Sequence, residues 1–327
     1  MREDSEREGR QWKMAYDITV IGAAIIDILA SPVSEAVFSA GSIPMETIKM
    51  SFGGDALNET LILSGLGKKV QLISKVGDDE AGKRVLGLLQ EKGISIASVQ
   101  VQQELATGIN MVLIDEKGER HFLTNPNSSL RKLDLPDVLP FLDDAAEIVS
   151  FASMFVSPLM TIPKMQELFS SIKEKGKLLA VDMTKAKNGE TIEDIAALLH
   201  YIDYIFPNEG EIALLTGEID PERNVERLLE LGVKTAVIKC GEKGCILGDK
   251  TGIHRIPAVP AKRCVDTTGA GDTFVSGFLW ALSEGWEPIE CAKFACAAAS
   301  FAVESVGATG GIRSLEEIRK RYEGNQN

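Results

Sequence analysis

The chain has 327 residues, of which 44% are hydrophobic and 25% charged, a balance that fits one large globular α/β domain or two domains. The formal net charge of −13 argues against nucleic acid as a partner. No apolar run approaches the ~18 residues that a membrane span needs. Five cysteines form no CxxC pair, which argues against structural zinc and favours a reducing cytoplasm.

The N-terminal part of the sequence predicts a polar tail followed by alternating strands and helices. Residues 1–15 are charged, lack an apolar segment behind them, and are predicted to form a flexible tail rather than a signal peptide. Strands are predicted at 16–22, 69–76, 108–113 and 119–124, and helices at 55–67 and 80–92. The sequence 115–118, Asp-Glu-Lys-Gly, predicts a hairpin turn.

After residue 126 the pattern becomes a regular alternation. Strands are predicted at 148–152, 178–181, 204–206 and 236–239, and helices at 161–175, 191–200, 209–216 and 222–231. This alternation predicts a doubly wound, mostly parallel sheet flanked by helices. Residues 16–327 are therefore predicted to form a single α/β domain, with a small β-rich lid from about 34–50 and 107–125.

The most informative motif is Asp266-Thr-Thr-Gly-Ala-Gly-Asp272, which precedes an apolar helix. Glycines at 269 and 271 permit a tight turn, and the N–H groups at a helix start attract anions. A carboxylate in that position suits a base that takes a proton from a hydroxyl as it attacks a phosphoryl group. The alternative is a structural turn in which an aspartate caps the helix.

Two upstream segments suit the recognition of hydroxyl groups. Phe52-Gly53-Gly54-Asp55-Ala56-Leu57-Asn58 places short polar side chains beside paired glycines at a helix start. A tight turn capped by Asp55 explains the same pattern equally well. Asp27 lies in an apolar stretch after the first strand and is expected at the end of a parallel strand, facing a ligand crevice.

Three further segments follow predicted strands. Asn208 and Glu211 read either as a capping box or as residues that organise Mg²⁺ and its waters near phosphates. The sequence 239–244, Lys-Cys-Gly-Glu-Lys-Gly, lacks P-loop spacing and reads as a hairpin turn unless a nucleotide lies over it. Lys185 is either a phosphate contact or a solvated lysine.

Together, in this order and spacing, these segments resemble the PfkB family of carbohydrate kinases from about Asp17 to about Gly311. The resemblance rests most on Gly53-Gly54…Asn58 and on Asp266-Thr-x-Gly-Ala-Gly-Asp272. Within the family the chain looks most like uncharacterised bacterial sugar kinases with a GGDAxNE signature. The resemblance implies ATP and Mg²⁺ as cofactors, a small sugar as substrate, and a homodimer formed through the lid.

The resemblance also implies roles for individual residues. Asp272 would be the general base, and the amides of Gly269, Ala270 and Gly271 the anion hole. The sugar site would contain Asp27, Gly54, Asp55, Asn58, Asn110 and Asn125. The nucleotide site would contain Lys185, Asn208, Glu211, Lys239, Gly241, Gly244 and Cys296, with Glu211 reaching Mg²⁺ through water. A monovalent cation, K⁺ in the first instance, would bind Asp266, Thr268, Ala302, Ser305 and Gly307.

Several positions depart from the ribokinase-like pattern. Asp55 stands where such chains carry lysine, Ile25 where they carry asparagine, and no glutamate ends the strand near Ser153. These departures argue against ribose and leave a different, longer sugar or a sugar acid. Two other functions stay open: a nucleoside kinase of the same family, and a sugar sensor without turnover.

Overall fold

The computed structural model describes residues 16–116 and 119–325, which contain thirteen strands and ten α-helices. The strands are β1 (Ile18–Gly22), β2 (Ile25–Val33), β3 (Thr47–Gly53), β4 (Val70–Gly77), β5 (Val99–Gln102), β6 (Ile109–Asp115), β7 (Arg120–Thr124), β8 (Ile148–Met154), β9 (Leu178–Met183), β10 (Tyr204–Ile205), β11 (Thr235–Lys239), β12 (Cys245–Asp249) and β13 (Gly252–Ile256). The helices are α1 (Asp55–Gly65), α2 (Glu80–Glu91), α3 (Leu135–Val138), α4 (Ile162–Glu174), α5 (Ile192–Leu199), α6 (Glu209–Thr216), α7 (Pro221–Glu230), α8 (Ala270–Ser283), α9 (Pro288–Ala302) and α10 (Leu315–Gly324). The predicted tail over 1–15 and two residues of the predicted 115–118 turn lie outside the described ranges.

Nine of the described strands form the main sheet, in the order β13-β12-β11-β10-β9-β8-β1-β4-β5. In this sheet order, the seven neighbouring strands β11, β10, β9, β8, β1, β4 and β5 pair in parallel. Strands β12 and β13 add an antiparallel edge beside β11. The predicted doubly wound, mostly parallel sheet is confirmed. Because parallel strands point the same way, the carboxyl ends of β1, β8, β9 and β11 meet along one edge.

Helices cover both faces of the main sheet. Alternate residues of β1 face opposite sides, so Ile18 packs in one core and Ile21 in the other. The first core is filled from α1, α8 and α9, and the second from α4 and α5. In the described part of the chain, no helix is both long and apolar enough to span a membrane.

The second sheet has four described strands in the order β3-β2-β6-β7. One row of directly paired residues runs Ser51–Asp27–Asn110–Thr124 and faces the main body. Arg120 lies on the same face, because it is four residues from Thr124 along β7. We call this sheet the lid.

The lid differs from its predicted boundaries. Strand β2 lies outside the predicted segments, and residues 34–46 contain a short 3₁₀ turn, Glu35–Phe38, before β3 begins. The expected position of Asp27 is therefore wrong. The first strand ends at Gly22 and a new strand begins at Ile25, so Asp27 is the third residue of a lid strand rather than the end of a parallel strand.

Candidate active site

The loop before α8 turns sharply at Gly269, where φ is +74°. A Cβ at this position would lie 2.3 Å from the carbonyl oxygen of Ala308 and 2.5 Å from its Cα. Only glycine allows the two backbone segments to approach so closely in this conformation. A glycine at position 269 is therefore required both by the turn and by the close packing against Ala308.

The first amides of α8 are only partly used. The N–H of Ala270 donates to Thr267 O at 3.2 Å. The N–H groups of Gly271 and Asp272 have no hydrogen-bond partner among the described residues. Unpaired amides at the positive end of a helix dipole suit an anion. The anion hole stays a prediction, and the geometry favours the amides of Gly271 and Asp272 over that of Ala270.

The side of the site nearest the lid has unused hydrogen-bonding capacity. The Nδ2 of Asn58 donates to Asp272 Oδ2 at 2.6 Å, and the Nδ2 of Asn110 donates to Asp27 Oδ1 at 3.1 Å. The Oδ1 atoms of both asparagines are buried and have no partner in the described part of the chain. A Cβ at Gly53 would lie 2.1 Å from a carboxylate oxygen of Asp27, so the first glycine of the pair admits this carboxylate. Buried acceptors without partners suit the hydroxyl groups of a ligand.

Asp55, the first residue of α1, contacts the end of β8. It accepts a short hydrogen bond from the hydroxyl of Ser153, which has a φ of +70°. A left-handed serine is strained, and such strain is concentrated at functional sites. Burial raises the pKa of Asp55 to about 6, and the charge of Asp182 adds to this, whereas the charges of Lys239 and Lys187 oppose it. The site therefore holds an uncommonly basic carboxylate at Asp55, the position where ribokinase-like chains carry lysine.

Lys239 brings positive charge to the free amides of α8. Its Nζ lies 2.8 and 2.9 Å from the two carboxylate oxygens of Asp182, which stands near the end of β9. The same Nζ lies 3.5 Å from the position that a Cβ of Gly271 would take. Burial disfavours the ammonium, but Asp182 and Glu211 outweigh burial and raise the pKa of Lys239. This lysine therefore stays charged beside the expected anion site.

Asp272 faces Lys239 and two further carboxylates. Burial raises its pKa well above the ordinary value of 3.8, and the charges of Asp55 and Asp182 raise it further. The hydrogen bond from Asn58 and the charge of Lys239 lower it by less. A carboxylate with a raised pKa accepts a proton more readily, as a general base requires.

The helix start at α6 has the predicted capping box. The Oδ1 of Asn208 accepts from the N–H of Glu211 at 2.8 Å, and Glu211 Oε2 accepts from the N–H of Asn208 at 2.9 Å. Burial raises the pKa of Glu211 to about 7, although the charge of Lys239 lowers it. The second carboxylate oxygen of Glu211 has no hydrogen bond to a described residue, so it can accept from water bound to Mg²⁺. The Mg²⁺ role stays a prediction.

The remaining nucleotide-site residues are placed as follows. Gly241 begins the turn between β11 and β12, and Gly244 ends it, which confirms the hairpin. Lys185 is exposed, with no hydrogen bond or ion pair to a described residue. Cys296 is buried in α9, where its thiol contacts that of Cys245. Their nucleotide roles stay predictions.

The predicted cation loop comes together around Asp266. Its Oδ1 accepts from the N–H of Thr268 at 2.9 Å, from the Thr268 hydroxyl at 2.7 Å, and from Arg120 Nη2 at 2.6 Å. Its Oδ2 accepts from the N–H of Gly307 at 2.8 Å. Nearby, the N–H of Ser305 donates to Ala302 O at 3.3 Å. A monovalent cation at Asp266 stays a prediction, and the guanidinium of Arg120 already lies against this carboxylate.

The sequence-based analysis assigned no role to three charged residues of the site: Glu59, Asp182 and Arg120. Glu59 is completely buried and accepts from the Ser150 hydroxyl at 2.7 Å. Burial raises its pKa well above 4.5. A carboxylate that directly follows an apolar run was the available signal for Asp182, whereas Glu59 lies between two polar residues. Arg120 gave no signal, because its partner is 146 residues away in sequence.

Comparisons with known proteins show that the chain is similar to carbohydrate kinases. The model of the pfkB family carbohydrate kinases matches residues 15–315. An ATP-dependent 6-phosphofructokinase of Thermoanaerobacterium thermosaccharolyticum is 26% identical, with 94% of each chain covered. An uncharacterized sugar kinase of Archaeoglobus fulgidus is 30% identical over 78% of this chain and 99% of its own length.

Solved structures show the same similarity. Ribokinase of Arabidopsis thaliana, complexed with ribose and ATP, superposes with a TM-score of 0.80 at 26% identity, covering 95% of this chain and 99% of its own. A putative ribokinase II of E. coli, in complex with ATP and Mg²⁺, also gives 0.80 at 26% identity, covering 94% of this chain and 99% of its own. The chain belongs to the pfkB family of carbohydrate kinases, which are phosphotransferases that use an alcohol group as acceptor.

Proposed function

We propose that the protein transfers the γ-phosphoryl group of ATP to a hydroxyl of a monosaccharide or sugar acid in the cytoplasm, with Asp272 as the general base. The observation that carries this proposal is the grouping at the start of α8. Asp272 is held by Asn58 at 2.6 Å, beside two unpaired amides and the ammonium of Lys239. A proton acceptor and anion-stabilising groups thus stand together.

The proposed reaction uses these groups in one step. Asp272 takes the proton of the sugar hydroxyl while the hydroxyl oxygen forms a bond to the γ-phosphorus. The bond between that phosphorus and the oxygen that bridges it to the β-phosphate breaks, and ADP leaves. The amides of Gly271 and Asp272 and the charge of Lys239 stabilise the negative charge on the transferred group. Closing the lid excludes water as a competing acceptor.

Glu211 fits the proposed Mg²⁺ requirement. Its oxygen that lacks a partner among the described residues suits a water ligand of Mg²⁺, which commonly keeps several waters. When bound, Mg²⁺ would offset charge on the phosphates of ATP. Asn208 fixes Glu211 through the capping box, and the backbone pairing of Asn208 with Lys239 keeps these two segments adjacent. ATP itself is proposed by similarity to the two ribokinase structures that contain it.

The sugar is proposed to bind between α1 and the lid. Asp27 and Asn110 would contact it from the lid side, and Gly54, Asp55 and Asn58 from the start of α1. Asn125 accepts from the N–H of Asn127 at 2.9 Å in the loop after β7, so we place it at the rim of the site. Asp55, rather than a lysine, and its partner Ser153 support a substrate other than ribose.

The outer face of the lid supports the proposed homodimer. Directly paired residues Met50, Ile28, Met111 and Leu123 form one row on the face opposite Asp27. Three of them are exposed: Met50 by 47%, Met111 by 45% and Leu123 by 54%. An apolar row across an exposed sheet suits burial against a second protein surface, here a second copy of the lid.

A substrate panel tests the proposed activity. The protein is incubated with ATP, Mg²⁺ and each member of a set of monosaccharides, sugar acids and nucleosides, and both ADP release and the phosphorylated product are measured. The proposal expects a phosphorylated sugar or sugar acid in amounts equal to the ADP. A preference for nucleosides would support a nucleoside kinase instead. Sugar binding without ADP release would support a sensor.

A further inference from the structure

Arg120 connects the lid to the loop that precedes α8. Its guanidinium lies on the body-facing side of the lid, and Nη2 is 2.6 Å from Asp266 Oδ1. Only 21% of the Arg120 side chain and 8% of the Asp266 side chain are exposed, so the ion pair is largely shielded from water. Shielding strengthens the attraction relative to a pair on the surface.

The carboxylate of Asp266 already has a cation of the chain beside it. Its Oδ1 accepts three hydrogen bonds, two from Thr268 and one from Arg120, and its Oδ2 accepts one from Gly307. Burial raises the pKa of Asp266, but these donors outweigh burial and hold it below 3.8. All the donors that contact Asp266 thus belong to the chain, and one of them, the guanidinium of Arg120, carries a full positive charge.

The position of Asp266 makes its charge important for the phosphoryl group. It stands three residues before Gly269, at the start of the turn that leads into α8. An uncompensated carboxylate there would oppose an anion at the free amides of Gly271 and Asp272. A neighbouring cation removes this opposition. The guanidinium of Arg120 carries that charge at every physiological pH, since arginine stays protonated in proteins.

We propose that Arg120 is a built-in cation that takes the place of a monovalent metal ion at Asp266. Because the guanidinium belongs to the lid, the compensating charge reaches the loop before α8 only when the lid is closed. The lid position and the electrostatics of the anion site are thereby coupled. This goes beyond the proposed phosphoryl transfer, and it makes the protein independent of K⁺.

Thermal unfolding in two salts tests the proposal without substrate or ATP. The parent protein, Arg120→Ala, Arg120→Lys and the control Arg255→Ala are unfolded in potassium chloride and in tetramethylammonium chloride at equal ionic strength. Tetramethylammonium is too large for a site built for K⁺. Arg255 forms an exposed ion pair with Glu222, so its loss reports only the general effect of removing an arginine.

We expect the parent, Arg120→Lys and Arg255→Ala to have the same Tm in both salts. Arg120→Ala should have a lower Tm in tetramethylammonium, and K⁺ should raise it saturably by about 2 °C or more, because K⁺ then binds the vacated carboxylate. Saturable stabilisation of the parent by K⁺ would overturn the proposal. Equal Tm values of Arg120→Ala in both salts would overturn it too. Neither result bears on the kinase proposal, since no turnover is measured.

Discussion

Replacing Gly269 by alanine tests whether the turn before α8 is as constrained as the geometry indicates. At φ +74° an alanine costs about 1–2 kcal/mol for its left-handed conformation alone. The new Cβ would also lie 2.3 Å from the carbonyl oxygen and 2.5 Å from the Cα of Ala308. Both neighbours are backbone atoms, so the adjacent loop must move. That loop includes Gly307, whose N–H holds Asp266 at 2.8 Å.

Gly285 provides a matched control. Its φ is +79°, but a Cβ there would have no heavy atom within 4 Å. Gly285→Ala should therefore lose only the conformational contribution, about 1–2 kcal/mol, and keep full activity. Gly269→Ala should lose about 3 kcal/mol or more and about 10²-fold in kcat, since displaced amides no longer stabilise the transferred group.

Urea unfolding measures the free energy of unfolding of both variants, and phosphorylation of the substrate found in the panel measures kcat. Equal losses of stability in the two variants would show that the approach to Ala308 does not constrain the turn. Parent-like kcat in a folded Gly269→Ala would refute the role of this turn in placing the anion-stabilising amides.

Two further predictions concern the buried acid of α1 and the lid. Because the folded-state pKa of Glu59 lies above its ordinary 4.5, its stability contribution is fully present below about pH 4.5 and falls as the pH rises toward the folded pKa. Glu59→Gln should therefore flatten the decline of Tm above about pH 4.5, each pH unit between the unfolded-state and folded-state pKa values being worth about 1.4 kcal/mol; a parallel decline in both proteins would contradict a raised pKa of Glu59. Met111→Lys should convert the proposed dimer to monomer in light scattering, whereas Val101→Lys, equally exposed on β5, should not; dimers in both variants would place the interface elsewhere.

Hydrophobic patterns predicted the body of the fold well, because burial on both faces of a parallel sheet leaves a strong local signal. Helix α6 begins and ends at the predicted residues, and β4 is shifted by one residue. The lid was predicted less well. Its strand β2 follows β1 after only two residues, so the apolar run from 18 to 29 conceals the point where the chain leaves one sheet for the other.

The site was predictable where function depends on backbone turns and not where it depends on distant partners. Glycines at 53, 54 and 269 mark close approaches that the sequence signals directly. The contact of Lys239 with Asp182 and that of Arg120 with Asp266 join residues 57 and 146 positions apart. Such pairs are set by sheet order and lid placement, which local sequence patterns do not encode.

The measurement that most directly tests the account is the kcat of Asp272→Asn on the sugar or sugar acid identified by the panel. The asparagine keeps an oxygen that can accept from Asn58, so fold and ligand binding should persist, as thermal shifts with ATP and sugar would show. The account predicts a loss of kcat of about 10²-fold or more with binding retained, because the proton acceptor is gone. A kcat close to that of the parent would remove Asp272 from the chemistry and contradict the account.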